Sequence, residues 1–137
     1  MRSRYTAFVT KNVEYLLATY KSTAPEHMRD AENTEHASAL QHTMATTEWL
    51  GLMILDAHID KKNTTQGLVE FVAFFRDTTT HENKIPFAQL HERSNFILHD
   101  KQWLYTTGDI QEDIKMHRNT LCFCGSNKKF KRCHALN

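Results

Sequence analysis

The sequence predicts an α+β fold in which N-terminal helices pack on an antiparallel four-strand meander, with a small metal-binding tail at the C-terminus. Apolar residues recur at three- and four-residue intervals near the N-terminus, as is typical of helices. From Glu48 onward, runs of β-branched and aromatic residues alternate with short turn clusters, as is typical of antiparallel strands. All three cysteines lie between residues 122 and 133, which indicates a metal site and not a disulfide framework.

Three helices are predicted before the first strand. The apolar face of the first segment predicts helical structure over residues 3–20, and it consists of Tyr5, Phe8, Val9, Val13, Leu16, Leu17 and Tyr20. We expect a break near residues 10–12, because Asn12 is a good N-cap for a second helix. Pro25 opens a third, weakly amphipathic helix that should end at about His42. Its few apolar residues are Met28, Ala31, Ala39 and Leu40.

Four strands are predicted after the helices, at residues 48–59, 67–77, 85–99 and 102–107. The connections are too short for parallel crossovers, so that neighbouring strands must run antiparallel. These connections cover residues 61–65, 78–83 and 100–101.

Alternation along the first strand predicts two partly apolar sheet faces. Trp49, Met53, Leu55 and Ile59 should share one face, and Leu50, Leu52 and Ile54 should share the other. The helices can cover one of the two faces. The other face is then left for a pocket, for the tail or for a second subunit, which would give a homodimer through the open sheet face.

The chain divides into an acidic body and a basic tail. Residues 1–113 carry 11 basic and 16 acidic residues, whereas residues 114–137 carry 6 basic residues and none that is acidic. We therefore expect one domain over 1–113 and a tail over 114–137, and a chain ending near residue 113 should stay folded.

The sequence has no apolar run of roughly 20 residues and no signal peptide. We therefore expect a cytoplasmic protein with no membrane span.

The tail contains a set of metal ligands with the spacing C-x-C-x8-C-H. Cys122, Cys124, Cys133 and His134 supply three thiolates and one imidazole, which is the donor set that zinc binds as a tetrahedron. Turn-forming residues at 125–127 let the chain reverse between the two ligand pairs. Because four protein ligands leave no place for an activated water, the spacing predicts one structural zinc ion and not a catalytic one.

Basic residues surround these ligands, and they predict a docking surface. Lys128, Lys129, Lys131 and Arg132 should stabilise the thiolates and attract a negatively charged partner. We expect this partner to be an acidic protein surface or the ribosome. Sequence-specific DNA binding is not expected, because no segment has the pattern of a recognition helix.

The tail resembles the SEC-C motif found at the C-terminus of the SecA translocation ATPase and on many small bacterial proteins. The resemblance implies the same four ligands, Cys122, Cys124, Cys133 and His134. Four positions depart from the family pattern: Phe123 replaces Pro, Asn127 replaces Gly, Phe130 replaces Tyr, and Ala135 stands where Gly often follows.

The body resembles the YchJ-like bacterial family. The resemblance rests on the segments at residues 1–9, 15–17, 49–52, 67–73, 90–96 and 103–105. It implies a nuclear transport factor 2-like cone, in which helices pack into a strongly curved antiparallel sheet. Relatives usually carry another SEC-C motif before the Arg-Ser-Arg-Tyr segment at residues 2–5, which raises the question of whether one precedes Met1 in the native chain.

Two functional hypotheses follow from these observations. The first is a zinc-binding adaptor that docks its partner through the basic tail. The alternative is a small-molecule-binding protein or enzyme using Glu70 and Glu92, provided that both lie on a concave face where burial would raise their pKa values. Otherwise these carboxylates should pair with Arg4, Arg76 or Arg93.

The histidines outside the tail lack metal-ligand spacing, and we expect them at the surface or in turns.

Overall fold

A computed structural model describes residues 1–79 and 87–135 of this chain. Within these residues, helices α1 (Arg2–Val9) and α2 (Val13–Ala18) are followed by a 3-10 turn at Glu26–Met28 and helix α3 (Arg29–Thr46). The strands that follow form one antiparallel sheet in the order β1-β2-β3-β4, with bounds Thr47–Ile59, Gln66–Asp77, Ala88–His99 and Gln102–Ile110. The predicted α+β meander is confirmed.

The break between the first two helices lies where the sequence predicts it. The Asn12 side chain accepts a hydrogen bond from the backbone N–H of Tyr15 at 3.0 Å, so this residue is the N-cap of α2. The predicted apolar face is only partly correct at α1. Tyr5 and Phe8 contact the Trp49 ring, but Val9 is 49% exposed, whereas Arg4 and Ala7 are buried. A pattern of apolar residues cannot indicate a buried arginine.

Helix α3 begins and ends later than the sequence predicts, since it starts at Arg29 after the 3-10 turn and ends at Thr46 and not near His42. Its last turn is held by Met44, which is buried with Leu40 against Ala7 and Leu16 of the first two helices. The helix passes into β1 at Thr47 without an intervening loop. Met28, predicted to contribute to the apolar face, is 53% exposed.

The strand bounds agree with the predictions to within a few residues. β4 is the main exception, because its ladder with β3 continues to the pair Glu92↔Ile110. Asp100 and Lys101 form the tight reversal before it, both with left-handed φ of 49° and 63°. Residues 80–86, which contain most of the predicted 78–83 turn and the start of the predicted third strand, lie outside the described residues.

A β-bulge at Leu50 changes which side chains of β1 share a face. Trp49 pairs with Phe75 and Gly51 pairs with Phe74, so Leu50 has no partner of its own on β2. Strict alternation places Trp49 and Met53 on one face, and this prediction is wrong. Trp49 lines a cavity beside the helices, whereas Leu50 and Met53 both pack against the buried cluster that includes the tail residues.

The helices and the tail cover opposite faces of the sheet. We call the face that carries Phe71 and Ala73 of β2 the helix face, and the face that carries Val72 and Phe74 the tail face. The tail packs over Val72 and Phe74 and therefore covers part of the face on which a second subunit was expected to bind. The homodimer stays a prediction.

None of the helices in the described part of the chain has the length and apolar character that a membrane span requires.

Candidate metal centre

The segment after β4 is fastened across the tail face by two side chains of β3. His91 Nδ1 lies 2.6 Å from the carbonyl oxygen of Glu112, to which it donates. The Gln89 amide donates to the carbonyl of Ile114 at 3.0 Å and accepts from its N–H at 3.1 Å. These contacts lead the chain from the edge of the sheet to the centre of the tail face.

The metal-ligating tail is a tight loop closed by backbone hydrogen bonds. Leu121 and Lys129 form an antiparallel bridge, and the N–H of Cys122 donates to the carbonyl of Lys128 at 2.8 Å. Gly125 and Asn127 have φ of 74° and 57°, so the reversal predicted over 125–127 uses left-handed backbone at both positions. This loop brings the first ligand pair back beside the second.

The four predicted ligands lie together. Their donor atoms are all within 4.8 Å of one another, and Cys122 Sγ lies 3.2 Å from His134 Nδ1. Cys133 Sγ lies 3.3 Å from the same nitrogen and 3.5 Å from Cys124 Sγ. A tetrahedral ion with metal–sulfur bonds near 2.3 Å holds its donors roughly 3.5–3.8 Å apart. The four residues are therefore positioned to bind a metal ion.

The thiols lie in different surroundings. Hydrogen bonding from the Ser126 hydroxyl is the main reason that the pKa of Cys124 is lowered to about 7. Burial raises the pKa of the Cys122 thiol, because this residue is only 5% exposed. A bound cation favours the thiolate of every cysteine that it touches.

The loop over residues 121–134, which we call the metal loop, is part of the core on the tail face. Phe123 lies between the first two ligands and stacks on Phe74 of β2, and Phe130 is buried in the same cluster. Phe87 contacts all three rings edge-on. A Cβ on Gly51 would lie 2.3 Å from the carbonyl oxygen of Phe123, so only glycine at this position lets the loop approach β1.

Comparison with known proteins identifies both parts of the chain. Residues 1–108 match the family described as the YchJ middle NTF2-like domain, and residues 118–136 match the SEC-C motif. The chain belongs to the YchJ-like family. Its UPF0225 relative in Serratia proteamaculans is 38% identical over 133 residues, covering 97% of this chain and 77% of the relative. A UPF0225 relative in Photorhabdus laumondii is 33% identical over 136 residues, with 97% and 78% covered.

Two solved structures of SEC-C motif proteins share the fold of this YchJ-like chain. The solution structure of the protein from Rhodopseudomonas palustris has a TM-score of 0.62 at 27% identity, covering 82% of this chain and 76% of the other. The crystal structure of the protein from Psychrobacter arcticus has a TM-score of 0.57 at 27% identity, covering 97% and 70%.

The two candidate carboxylates, Glu70 and Glu92, do not share a face, and the condition for the paired-carboxylate hypothesis is therefore not met. Glu70 lies on the tail face, where its oxygens contact His91 Nε2 at 2.8 Å and Arg93 Nε at 3.3 Å. The pairing with Arg93 expected as the alternative is thus present. Glu70 joins β2 to the segment after β4 through His91, since the same ring also donates to Glu112.

Glu92 lies on the helix face, beside a cavity. Its Oε1 accepts hydrogen bonds from the Ser94 hydroxyl at 2.6 Å and the Tyr105 hydroxyl at 3.1 Å. Burial and the nearby Glu92 charge raise the pKa of Tyr105, which keeps that hydroxyl a donor. A Cβ on Gly108 would lie 2.0 Å from Glu92 Oε1, so the carboxylate occupies the space above this glycine.

The predicted docking residues surround the metal loop. Lys128, Lys129 and Arg132 are exposed and Lys131 is half-buried. Among residues 1–79 and 87–135, no acidic side chain forms an ion pair with any of these four. Their charges are therefore available to an external partner, and docking stays a prediction.

Sequence reasoning missed the residues that fix the tail to the sheet. His91 was expected at the surface or in a turn, yet it is 9% exposed and lies between Glu70 and Glu112. Gly51 and Gln89 carried no signal of their own. Phe123 was noted only as a departure from the proline of the SEC-C pattern, and a lone aromatic residue between two ligands was the one available indication of its packing.

Proposed function

We propose that this protein is a zinc-binding adaptor, in which Cys122, Cys124, Cys133 and His134 hold one structural zinc ion and the tail docks an acidic surface on a protein or the ribosome. The observation that carries the proposal is the position of the four donor atoms, all within 4.8 Å of one another in a loop packed on the sheet. The metal ion, the loop and the sheet then form one rigid unit that holds the basic side chains of the tail in place.

The donor set favours zinc over other common ions. Thiolate and imidazole ligands in a small tetrahedral cluster suit zinc, whereas magnesium and calcium require oxygen ligands. Four protein ligands fill the coordination shell, so the ion has a structural role. Three thiolates and a neutral imidazole around Zn²⁺ carry a net charge of about −1, which the neighbouring cations offset.

The packing supports a structural role for the ion. Cys122 and Cys124 flank Phe123, so that ligand geometry sets where this ring lies. Without metal, three thiols and an imidazole whose donor atoms all lie within 4.8 Å of one another gain little from remaining together. Zinc therefore stabilises both the loop and the position of Phe123 over Phe74.

The docking part of the proposal rests on charge. Lys128, Lys129 and Arg132 are exposed on a loop whose backbone is closed by hydrogen bonds, and they add positive charge to a tail without acidic residues. Such a surface attracts phosphate or carboxylate groups through interactions that are screened over about 10 Å at 0.1 M salt. Binding of the partner should therefore weaken as salt is added.

A capture experiment with two matched variants tests this docking. The zinc-loaded chain, the Lys128→Ser/Lys129→Ser variant and the Lys61→Ser/Lys62→Ser variant are immobilised separately and exposed to bacterial lysate or purified ribosomes. Lys61 and Lys62 are the matched control, because they are an exposed pair in the β1–β2 turn. We expect one partner, identified by mass spectrometry or sedimentation, to be lost from the tail variant and retained by the control.

The zinc content of each variant is measured alongside. It should be equal in all three proteins, because neither pair of lysines supplies a ligand. Capture that persists at about 0.5 M salt, or that is lost equally from both variants, would contradict docking through the tail. Such results would leave the zinc assignment intact.

A further inference from the structure

Two cavities lie between the helices and the helix face of the sheet, and Arg4 contributes to both. The first, of about 310 Å³, is lined in part by Arg4, Tyr15, Thr19, Val69, Phe96 and Trp103. The second, of about 330 Å³, is lined in part by Arg4, Ala39, Trp49 and Glu92. Each volume falls within the range of small-molecule sites in proteins, which begins at roughly 300 Å³.

Arg4 is a buried cation that forms no direct ion pair with a carboxylate of the described residues, and the Glu92 charge acts on it only from a longer distance. It is 6% exposed, and its Nη1 donates to the carbonyl of Leu16 at 2.9 Å and the hydroxyl of Thr19 at 2.6 Å. Its guanidinium carbon lies 4.9 Å from the centre of the Tyr105 ring. Charged side chains are almost never buried to this degree without an ionic partner.

The unused donors of Arg4 are Nε and Nη2. No hydrogen bond within residues 1–79 and 87–135 reaches either atom, and neither is sealed from solvent by the surrounding protein. Arg4 is part of the wall of both cavities, so a group bound in either one lies beside this side chain. Nε–H and one N–H of Nη2 are parallel in a planar guanidinium and match the two oxygens of one carboxylate.

The two cavities differ in charge. Glu92 lines the second cavity, and its carboxylate would repel an anion there. None of the described residues that line the first cavity is acidic, and its wall beyond Arg4 is largely apolar at Val69, Phe96 and Trp103. A small molecule could place an anionic group beside Arg4 and an apolar body against these three side chains, so that it would match both the charged and the apolar part of the wall.

We propose that the first cavity binds a small carboxylate with an apolar body, whose two oxygens accept hydrogen bonds from Nε and Nη2 of Arg4. The site is independent of the metal loop, which lies on the opposite face of the sheet. It gives the protein a second binding function besides the docking proposed for the tail. Its ligand class follows from one buried guanidinium and one apolar wall.

Benzoate, benzamide and inorganic phosphate are the probes that test this site. Benzamide has nearly the shape of benzoate without its charge, and phosphate has charge without an apolar body. In an NMR titration of the zinc-loaded full chain, benzoate should shift the Arg4 Nε–H and the Val69 amide saturably. Benzamide and phosphate should bind at least about tenfold more weakly. Equal binding of benzamide and benzoate, or no saturable shift with benzoate up to about 10 mM, would overturn the proposal.

Three variants locate the site. Arg4→Lys keeps the charge but loses the paired donors, so it should weaken benzoate about tenfold or more. Because Arg4 also holds Leu16 and Thr19, Val69→Phe provides a second test that fills the first cavity without changing Arg4. Ala39→Leu fills the second cavity and is the matched control. Benzoate binding that survives Val69→Phe but not Ala39→Leu would contradict the assignment to the first cavity.

Discussion

Phe123 stacks on Phe74 with the ring centroids 3.9 Å apart and 3° between the ring planes. Phe74 of β2 is completely buried, and Phe123 lies between the ligands Cys122 and Cys124. The metal centre and the core on the tail face therefore meet at one pair of rings. Changes in metal binding should affect the stability of the sheet, and changes in the sheet should affect the metal loop.

Removal of residues 114–137 should destabilise the body, although the sequence led us to expect a folded chain ending near residue 113. The packing changes that prediction, because truncation exposes Val72 and Phe74, both 0% exposed with the tail in place. Exposure of two such side chains costs about 3 kcal/mol or more. Urea unfolding of the full and truncated chains measures the difference. Equal unfolding free energies would show that the tail is an independent appendage.

Gly51→Ala should lift the metal loop from the sheet. The added Cβ would lie 2.3 Å from the carbonyl oxygen and 2.8 Å from the carbonyl carbon of Phe123, which is closer than van der Waals contact allows. Relief by backbone movement should cost about 1–3 kcal/mol and shift the tail amides in an ¹H–¹⁵N spectrum.

Gly67→Ala is the matched control for that change. Its Cβ would lie 3.2 Å from a carbon of the Trp103 ring, on the same sheet but away from the tail. The tail amides should keep their positions in this variant. Tail amides that respond equally to both substitutions would argue against a loop seated on Gly51.

The fold could be predicted from the sequence because its signals are local. Turn residues and short connections define the meander, and Asn12 marks the start of α2 through a cap formed three residues away. The tail ligands are likewise defined by spacing within one loop.

The packing of the tail on the sheet could not be predicted, because it joins residues far apart in the chain. Gly51 and Phe123 are in contact although more than half of the sequence separates them. The bulge at Leu50 also determines that Gly51 lies on the tail face. Strand periodicity does not reveal a bulge. The burial of Arg4 could not be predicted for another reason, since a charged residue is assigned to the surface unless its partners are known.

Glu70→Gln should lower the unfolding free energy by about 1–3 kcal/mol, because it removes a charged acceptor from His91 and Arg93. Glu48→Gln is the control, since Glu48 faces Arg76 in a pair with side chains 51% and 37% exposed. The control should change stability by less than about 1 kcal/mol. If thermal or urea unfolding shows the two variants to be equal, the connection from Glu70 through His91 to Glu112 does not stabilise the segment after β4.

Acid should weaken the contact between α3 and the segment before it. Hydrogen bonds from Ser22, and then from Tyr20, lower the pKa of Glu32 below its ordinary value. A carboxyl with a lowered folded pKa contributes stability above its unfolded pKa and loses it as the pH falls through the folded value. Melting temperatures between about pH 6 and 3 should therefore fall less steeply in Glu32→Gln than in the unchanged chain.

Glu35→Gln is the control on the same helix, because no hydrogen bond within the described residues reaches the Glu35 side chain. It should follow the unchanged chain at every pH. Since acid also protonates metal ligands, all three proteins are compared in the same metal state. Parallel curves for the two variants would remove Glu32 as a source of acid sensitivity.

The metal content of the purified chain tests the central claim most directly. Inductively coupled plasma mass spectrometry of protein prepared without chelators should find one zinc ion per chain, and Cys133→Ser should abolish it. Ser126→Ala is the control, because Ser126 Oγ lies 3.5 Å from Cys133 Sγ without belonging to the ligand set, and this variant should keep its zinc. Unchanged protein that contains no zinc, or a Cys133→Ser variant that retains a full equivalent, would contradict the account.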